Sequence, residues 1–364
     1  MINDFEEYLV QGEPGRIEKS QIWQTAIGLQ QVDGLKPSAY LIETAKQNIE
    51  GDITFDEVKS RIDDYYKTLT NRQVTADDRT EEADKVSARI AEILSEKTFS
   101  FSTTEYINIH RRLFSGIYQF AGKIRDYNIT KAEWVLKGNT VLYSNADIVG
   151  TTLDYDFQQE KQFDYHTSDL SQSIEHIVKF ISGVWQIHAF GEGNTRTTAV
   201  FAIKYLRSFG FEVENDMFAE HSWYFRNALV RANYNDLKNN VHATTEYLTR
   251  FFGNLLLGEK NILKNRELLI GNNDFQSAKN EENEVSKSNI CTLNCDLEEH
   301  FVLEFLKSNP NATQKDIAAH IRKSERTIKT ITSNLQQKNL LERRNGKRNG
   351  YWAVVDDNER NNEK

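Results

Sequence analysis

Residues 188–201 read HAFGEGNTRTTAVF. The run places a histidine, an acid, two glycines, an asparagine and an arginine within nine residues, directly before an apolar segment. VWQIHAF reads as the end of a buried helix or strand and GEGN as a tight turn. TRTTAVFAIKYLRSF then reads as a helix with Ala199, Val200, Ile203 and Leu206 inward. A glycine-containing turn that opens a helix leaves unpaired backbone N–H groups at the positive end of a dipole, so it is a ready anion site, and phosphate is its natural occupant. Arg196 can add a charge-assisted contact and Asn194 a neutral one. An acid beside phosphate is repulsive unless it holds a cation, which makes Glu192 a candidate ligand for Mg²⁺. His188, uncharged for most of the time at neutral pH, fits a general base. Taken singly, His188 also reads as a hydrogen-bonded core histidine and Glu192 with Arg196 as a local i, i+4 ion pair. The order of the whole set favours a site. The run contains neither GxxxxGK[ST] nor HExxH, so a P-loop and a zinc protease are unsupported.

The surrounding 364 residues suit two or three domains. With only three prolines and long stretches of three- and four-residue apolar spacing, the protein is expected to be mainly α. Residues 1–75 read as an N-terminal helical segment, with a break at Gly34 and Pro37 where a helix-ending glycine precedes a residue that cannot continue the helix. Residues 76–268 form a helical domain interrupted by IRDYNITKAEWVLKGNTVLYS. There Trp134, Leu136, Val141 and Tyr143 flank a Lys137-Gly138-Asn139 turn, which predicts a β-hairpin whose edge can accept a partner strand. Residues 269–290 are polar and aperiodic and read as a linker, and 357–364 as a disordered tail. Cys291 and Cys295 lack the spacing of a zinc site or a disulfide framework. No apolar run is long enough to span a bilayer and the acidic N-terminus is unlike a signal peptide, so a cytoplasmic protein without a membrane partner is expected.

Residues 291–356 carry a different pattern. Asn309-Pro310-Asn311 ends one helix, Thr313 can cap a second and Ser324 a third, in which Ile328, Ile331 and Leu335 form the apolar stripe. LLERRNGKRNGYWAVV then alternates around Asn345-Gly346 as strand, turn, strand. The order resembles a winged helix-turn-helix, a small α+β domain. Between 291 and 355 eleven Lys and Arg stand against seven Asp and Glu, within a chain of net charge −9. Lys323, Arg326 and Lys329 fall on the third helix, with Glu325 beside them, and Arg343, Arg344, Lys347 and Arg348 on the wing. These are the positions from which a third helix in a major groove would meet duplex DNA. A protein–protein module with a solvated basic face is the alternative.

The run at 188–196 resembles the signature of Fic-domain proteins, HxFx[DE]GN followed by glycine, arginine, two free positions and a second arginine. His188, Phe190, Glu192, Gly193, Asn194 and Arg196 match it. IHRRLFSGIYQFAGKIRDYNITK is similar to the stretch that precedes the family's flap, and the resemblance extends over about residues 95–255. It implies an all-helical Fic core with a β-hairpin flap, self-association into a homo-oligomer, and transfer of AMP from ATP to a Ser, Thr or Tyr hydroxyl of a target protein. His188 would deprotonate that hydroxyl and Glu192 would hold Mg²⁺. Gly193, Asn194, Thr195 and Arg196 would cradle phosphate, and the flap would hold the target by strand addition. Thr195 replaces the family glycine, which is harmless if its φ is helical and strained if φ is positive. Ala199 replaces the second arginine, which in the family grips the outer phosphates of ATP. Arg226 and Arg231 are the candidate substitutes.

The N-terminal helices resemble the antitoxin segments that restrain Fic toxins, in which a [ST]xxxE[GN] helix sets its glutamate on the second motif arginine. Leu29, Asp33 and Gly34 occupy the matching positions. With residue 199 an alanine, the Asp33 carboxylate is expected to lack a partner and the segment to be structural or to regulate in another way. Two functions follow from these readings. One is a Mg²⁺-dependent protein adenylyltransferase tethered to a DNA-binding winged helix, favoured by the complete His-Glu-Asn-Arg set. The other is a transcriptional regulator whose Fic domain senses a nucleotide or phosphorylated ligand without transferring it, favoured by Ala199.

Overall fold

A computed structural model describes residues 5–11, 13–70, 79–165, 168, 170–209, 211, 213, 216–271, 297–321, 324–338, 340–344 and 350–355. The N-terminal segment contains α1 (Glu6–Gln11), α2 (Pro14–Gly28), a 3₁₀ turn at Leu29–Asp33, α3 (Ala39–Glu50) and α4 (Phe55–Thr70). The following domain contains α5 (Thr80–Ser95), α6 (Thr103–Phe114), α7 (Val149–Gln162), α8 (Leu170–Ile187), α9 (Asn194–Ser208), α10 (Asp216–Ala232) and α11 (Glu246–Phe252). The C-terminal residues give α12 (Leu297–Ser308), α13 (Gln314–Ile321), α14 (Glu325–Gln337) and strands β1 (Leu341–Arg344) and β2 (Tyr351–Val354).

Local chemistry sets these boundaries. Pro14 opens α2, where its missing N–H costs nothing. The 3₁₀ turn after α2 stops at Gly34, whose φ of 70° lies in the left-handed region that glycine enters freely. Ser38 caps α3 through the Leu41 N–H at 3.1 Å, and Ser102 caps α6 through the Glu105 N–H at 3.1 Å.

α9 is the axis of the molecule, with every residue from Asn194 to Leu206 buried. Phe201 and Tyr205 on α9 pack with Phe99, Phe101, Phe157 and Phe180 in a continuous aromatic cluster. The N-terminal segment is part of the same core. Trp23 of α2 is fully buried and donates its indole N–H to Asn48 Oδ1 at 3.0 Å. Gly28, at the end of α2, lies so close to α10 that a Cβ there would overlap the Ala219 backbone, and Ser222 Oγ donates to the Gly28 carbonyl at 2.8 Å.

The C-terminal domain is a winged helix, as its sequence pattern implies. Ser324 Oγ accepts from the Thr327 N–H, and the Asp316 carboxylate accepts from both the backbone and hydroxyl of Thr313. Ile317, Ile328, Leu335 and Trp352 form its core. β1 and β2 pair antiparallel, with Leu341 opposite Val354 and Arg344 opposite Tyr351. Among the described residues these are the strands of the molecule.

The flap is therefore not the hairpin its alternation predicts. The chain reverses at Lys137 (φ 53°) and Gly138 (φ 91°), and Gly138 N–H donates to the Glu133 carbonyl at 3.0 Å. Trp134–Leu136, however, winds into a 3₁₀ turn. Val135 and Leu136 are both fully buried, and two successive inward residues are incompatible with the two-residue alternation of a strand. The edge expected to be open to a partner is met by the same chain, because the Ile270 N–H donates to the Val135 carbonyl at 2.9 Å. Lys323, Lys347, Arg348, Cys291, Cys295, linker residues 272–290 and the tail fall outside the described residues.

Candidate active site

The motif turn is built by glycine and asparagine. Gly193, the N-cap of α9, has φ 79°, and a Cβ there would overlap the Phe114 ring. The Asn194 amide does not point outward. Its Oδ1 accepts from the Phe190 N–H at 3.0 Å and its Nδ2 donates to the Phe190 carbonyl at 2.7 Å, tying the turn shut. Thr195 keeps a helical backbone, since among the described residues the non-glycine ones with positive φ are Lys137, His188 and Asn240. Its hydroxyl accepts from the Trp185 indole N–H at 3.0 Å, a bond that the family glycine has no side chain to make. The backbone N–H groups at the start of α9 stand at the positive end of the helix dipole.

His188 is 3% exposed and held at φ 53°, a left-handed conformation costing about 1–2 kcal/mol for a residue with a Cβ. Arg125, missed in the sequence, holds it there. The Arg125 Nε donates to the His188 carbonyl at 2.7 Å, Nη1 to the Tyr127 carbonyl at 2.7 Å, and Nη2 to the carbonyls of Ser144 and Ile187. One buried guanidinium thus ties both ends of the flap to the motif turn. The His188 Nδ1 lies 3.3 Å from the Trp185 carbonyl oxygen, to which a protonated Nδ1 donates. That tautomer leaves the lone pair on Nε2, which is buried and has no hydrogen-bond partner among the described residues. Burial first, and Lys131 nearby second, push the His188 pKa well below the ordinary histidine value. The imidazole is neutral, with an available acceptor nitrogen and the Tyr143 ring 4.2 Å away.

His110 is a second residue that the motif did not reveal. Its Nδ1 accepts from the Gly122 N–H at 2.8 Å, so its Nε2 carries the proton and donates to the Glu192 carbonyl at 3.0 Å. It stacks on Phe190 at 3.7 Å, and burial lowers its pKa to about 4. Phe190 and the turn are clamped from behind by a neutral imidazole.

The Glu192 carboxylate is half exposed and pairs with Lys131 Nζ at 2.8 Å rather than with Arg196. Among the described residues no cluster of three or more His, Cys, Asp or Glu exists to hold a metal. A single exposed carboxylate fits Mg²⁺ only together with the oxygens of water and of a bound phosphate, since Lys131 and the positive helix end both oppose a cation on its own.

Arg196 is fully buried, and its partners overturn the expectation for Asp33. Nε lies 2.8 Å from Asp33 Oδ2, too poorly aligned for a hydrogen bond but a close ion pair. Nη2 donates to Glu82 Oε1 at 2.6 Å and Nη1 to Gln30 Oε1 at 3.0 Å, while the guanidinium lies 4.8 Å from the Phe114 ring centre. Burial opposes the charge, yet the Asp33 and Glu82 carboxylates outweigh it and raise the Arg196 pKa. Asp33 has a partner after all: the first motif arginine, one turn before the missing second one. Ala199 itself is fully buried.

The two candidate substitutes do not converge on this point. Arg226 pairs with the buried Glu133 at 2.9 Å, and Tyr143 donates to the same carboxylate at 3.4 Å. Arg231 is 9% exposed, and its Nε and Nη1 have no hydrogen-bond partner among the described residues. On the flap, Val141 and Tyr143 are buried with Leu136, and Trp134 is half exposed. On the winged helix, Glu325, Arg326 and Lys329 are exposed along α14; Arg343 stacks on Trp352 and Arg344 pairs with Glu342.

This fold and this motif define the class. The chain carries a Fic domain, matching the Fic/DOC family over residues 100–206, and a winged-helix domain matching the penicillinase repressor family over residues 296–364. Among solved structures, a crystal structure of a Fic family protein from Desulfovibrio desulfuricans G20 is similar with 11% identity and a TM-score of 0.45, covering 97% of this chain and 92% of that one. No curated protein matches the chain. No helix among the described residues is long and apolar enough to cross a membrane.

Proposed function

We propose that the protein is a Fic-type nucleotidyltransferase that moves AMP from ATP to a Ser, Thr or Tyr hydroxyl of a target protein, and that its N-terminal segment holds it closed. The observation that carries this reading is His188: neutral, fixed by Arg125, with an unpartnered Nε2 beside the anion-binding start of α9. The target hydroxyl oxygen attacks the α-phosphorus as its proton passes to Nε2, and pyrophosphate leaves with the electrons of the broken P–O bond. Backbone N–H groups of residues 193–196 face the phosphate charge. Glu192, on releasing Lys131, would hold Mg²⁺, which supplies charge neutralisation when bound. Arg196 would reach phosphate only by giving up Asp33 and Glu82, and these two ion pairs support the reading of a restrained arrangement.

The winged helix would bind duplex DNA through α14 and the wing, with Arg326 and Lys329 on phosphates or bases. The second reading, a ligand-sensing regulator that transfers nothing, draws on the complete engagement of Arg196 and on Ala199. Intact-mass spectrometry of wild type and His188→Ala, with Mg²⁺ and each of ATP, CTP, GTP and UTP, alone and with lysate, separates them. A nucleotide-dependent mass gain on the protein or a lysate partner that His188→Ala lacks is expected. Ligand-dependent DNA affinity with no covalent product would favour the regulator.

A further inference from the structure

A cavity of about 710 Å³ lies at the far end of α9 from the motif, between α2, the end of α5 and the last turns of α9. That volume is within the usual range for small-molecule sites. Its walls are apolar where Ile17, Leu94, Phe99 and Phe211 face it, and Lys204 and Arg207 supply positive charge.

Lys204 is the informative residue. It is 3% exposed, and its ammonium donates to the carbonyls of Ile93 and Glu96. An ammonium has three N–H groups, so one remains. Among the described residues Lys204 forms no ion pair. Glu96, the acid that acts on it most strongly, gives its carboxylate to Arg112 in a two-point contact, and Glu105 acts on it more weakly. Arg207 donates to the Leu94 carbonyl at 2.7 Å, and Glu18 on the α2 wall partly offsets its charge. Burial lowers the pKa of both cations. For Lys204, a buried charge kept without an ion-pair partner among the described residues is costly unless a ligand supplies one.

We propose that this cavity binds an organic anion with an apolar body, such as an aryl or alkyl carboxylate, whose charged end meets Lys204 and Arg207 while its body lies along Ile17, Leu94 and Phe99. The site is independent of the nucleotide site, yet both helices that form it run to the motif. α2 leads from Ile17 to the turn that carries Gln30 and Asp33, and α9 leads from Lys204 back to Arg196. A ligand bridging α2 and α9 here therefore stiffens the docking of the N-terminal segment.

The test is titration calorimetry on the full chain with 4-phenylbutyrate and 1-naphthaleneacetate, each paired with its uncharged amide. Saturable one-to-one binding of at least one acid is expected, with its amide about tenfold or more weaker, the difference of one charge-assisted hydrogen bond. Lys204→Met should erase the preference for acid over amide. Ser208→Trp, at an exposed position on the cavity wall, should block binding while leaving Lys204 in place, so the test survives if Lys204→Met misfolds. Absence of saturable binding by either acid at millimolar concentration would overturn the proposal, as would equal affinity for acid and amide or binding undiminished in folded variants.

Discussion

Asp33→Ala is the perturbation that separates a restraint from a mere brace. Arg196 has two carboxylate neighbours, Asp33 Oδ2 at 2.8 Å and Glu82 Oε1 at 2.6 Å, and one neutral acceptor, Gln30. Stripping a buried ion of its whole partner set costs about 3–5 kcal/mol. Here Glu82 and Gln30 stay, and the Asp33 contact is misaligned as a hydrogen bond, so the loss is nearer 1–3 kcal/mol. Glu82 is the poorer choice for mutation because it also binds Arg79 and Tyr118, so its removal disturbs three partners at once. If those 1–3 kcal/mol hold Arg196 away from phosphate, the variant should bind Mg²⁺-ATP about 5- to 150-fold more tightly. Titration calorimetry of both proteins measures this, with thermal melting as a control expected to show a lower Tm. Gln30→Ala, which removes a neutral acceptor, should give a smaller gain. A lower Tm with unchanged ATP affinity in Asp33→Ala would refute the reasoning, since the ion pair would then stabilise the fold without opposing the ligand.

Three further outcomes are expected. Gly28→Ala forces a methyl group into the Ala219 backbone and should cost about 1–3 kcal/mol by overpacking, while raising ATP affinity in the same direction as Asp33→Ala; an unchanged Tm would contradict the close approach of α2 and α10. The His110 pKa is about 4 when folded against about 6.5 unfolded. Between those values the unfolded chain binds the proton and the folded chain does not, so stability falls as pH drops, by on the order of 3 kcal/mol across the window. His110→Gln should flatten that slope in urea melts at pH 7 and pH 5, and an equal slope would refute the assignment. Arg326→Ala and Lys329→Ala should each weaken duplex DNA binding and reduce the salt slope of log K by about 1 if each meets a phosphate, measured by fluorescence anisotropy; slopes identical to wild type would place phosphate contacts elsewhere.

The sequence was most legible where one local rule acts alone. The caps at Thr313 and Ser324, the left-handed stop at Gly34 and the turn at Gly193 follow from nearest neighbours, and the structure has them at those positions. The flap was misread because alternation of Trp134, Leu136, Val141 and Tyr143 is a strand signal only if Val135 faces water, and the core buries it. Arg125 and His110 escaped notice for a different reason. Each acts across more than sixty residues, on the backbone carbonyls of His188 and Glu192, and no spacing rule reports a side chain whose partner is a distant main-chain oxygen. The motif marks Arg196 as a phosphate ligand, whereas its acidic partners come from residues 33 and 82, which no local spacing connects to it.

Those partners alter what the substitutions at the motif mean. Read along the chain, Ala199 and the shortened Asp33 look like two independent losses that leave a regulatory ion pair with neither end. In space they belong together. Residues 196 and 199 are neighbours on one face of α9, and an arginine at the fully buried position 199 would bring a second cation beside Arg196, in competition for the same carboxylates. With alanine there, the Leu29–Asp33 turn can pack against α9 and Asp33 reaches Arg196 instead. The ion pair has moved by one turn of helix rather than disappeared. The consequence is a tighter coupling than two separate arginines would give, because the residue that the N-terminal segment holds is the one that the motif assigns to phosphate. On the proposed function, restraint and ligand would compete for a single guanidinium, and each would lower the apparent affinity of the other by the same factor.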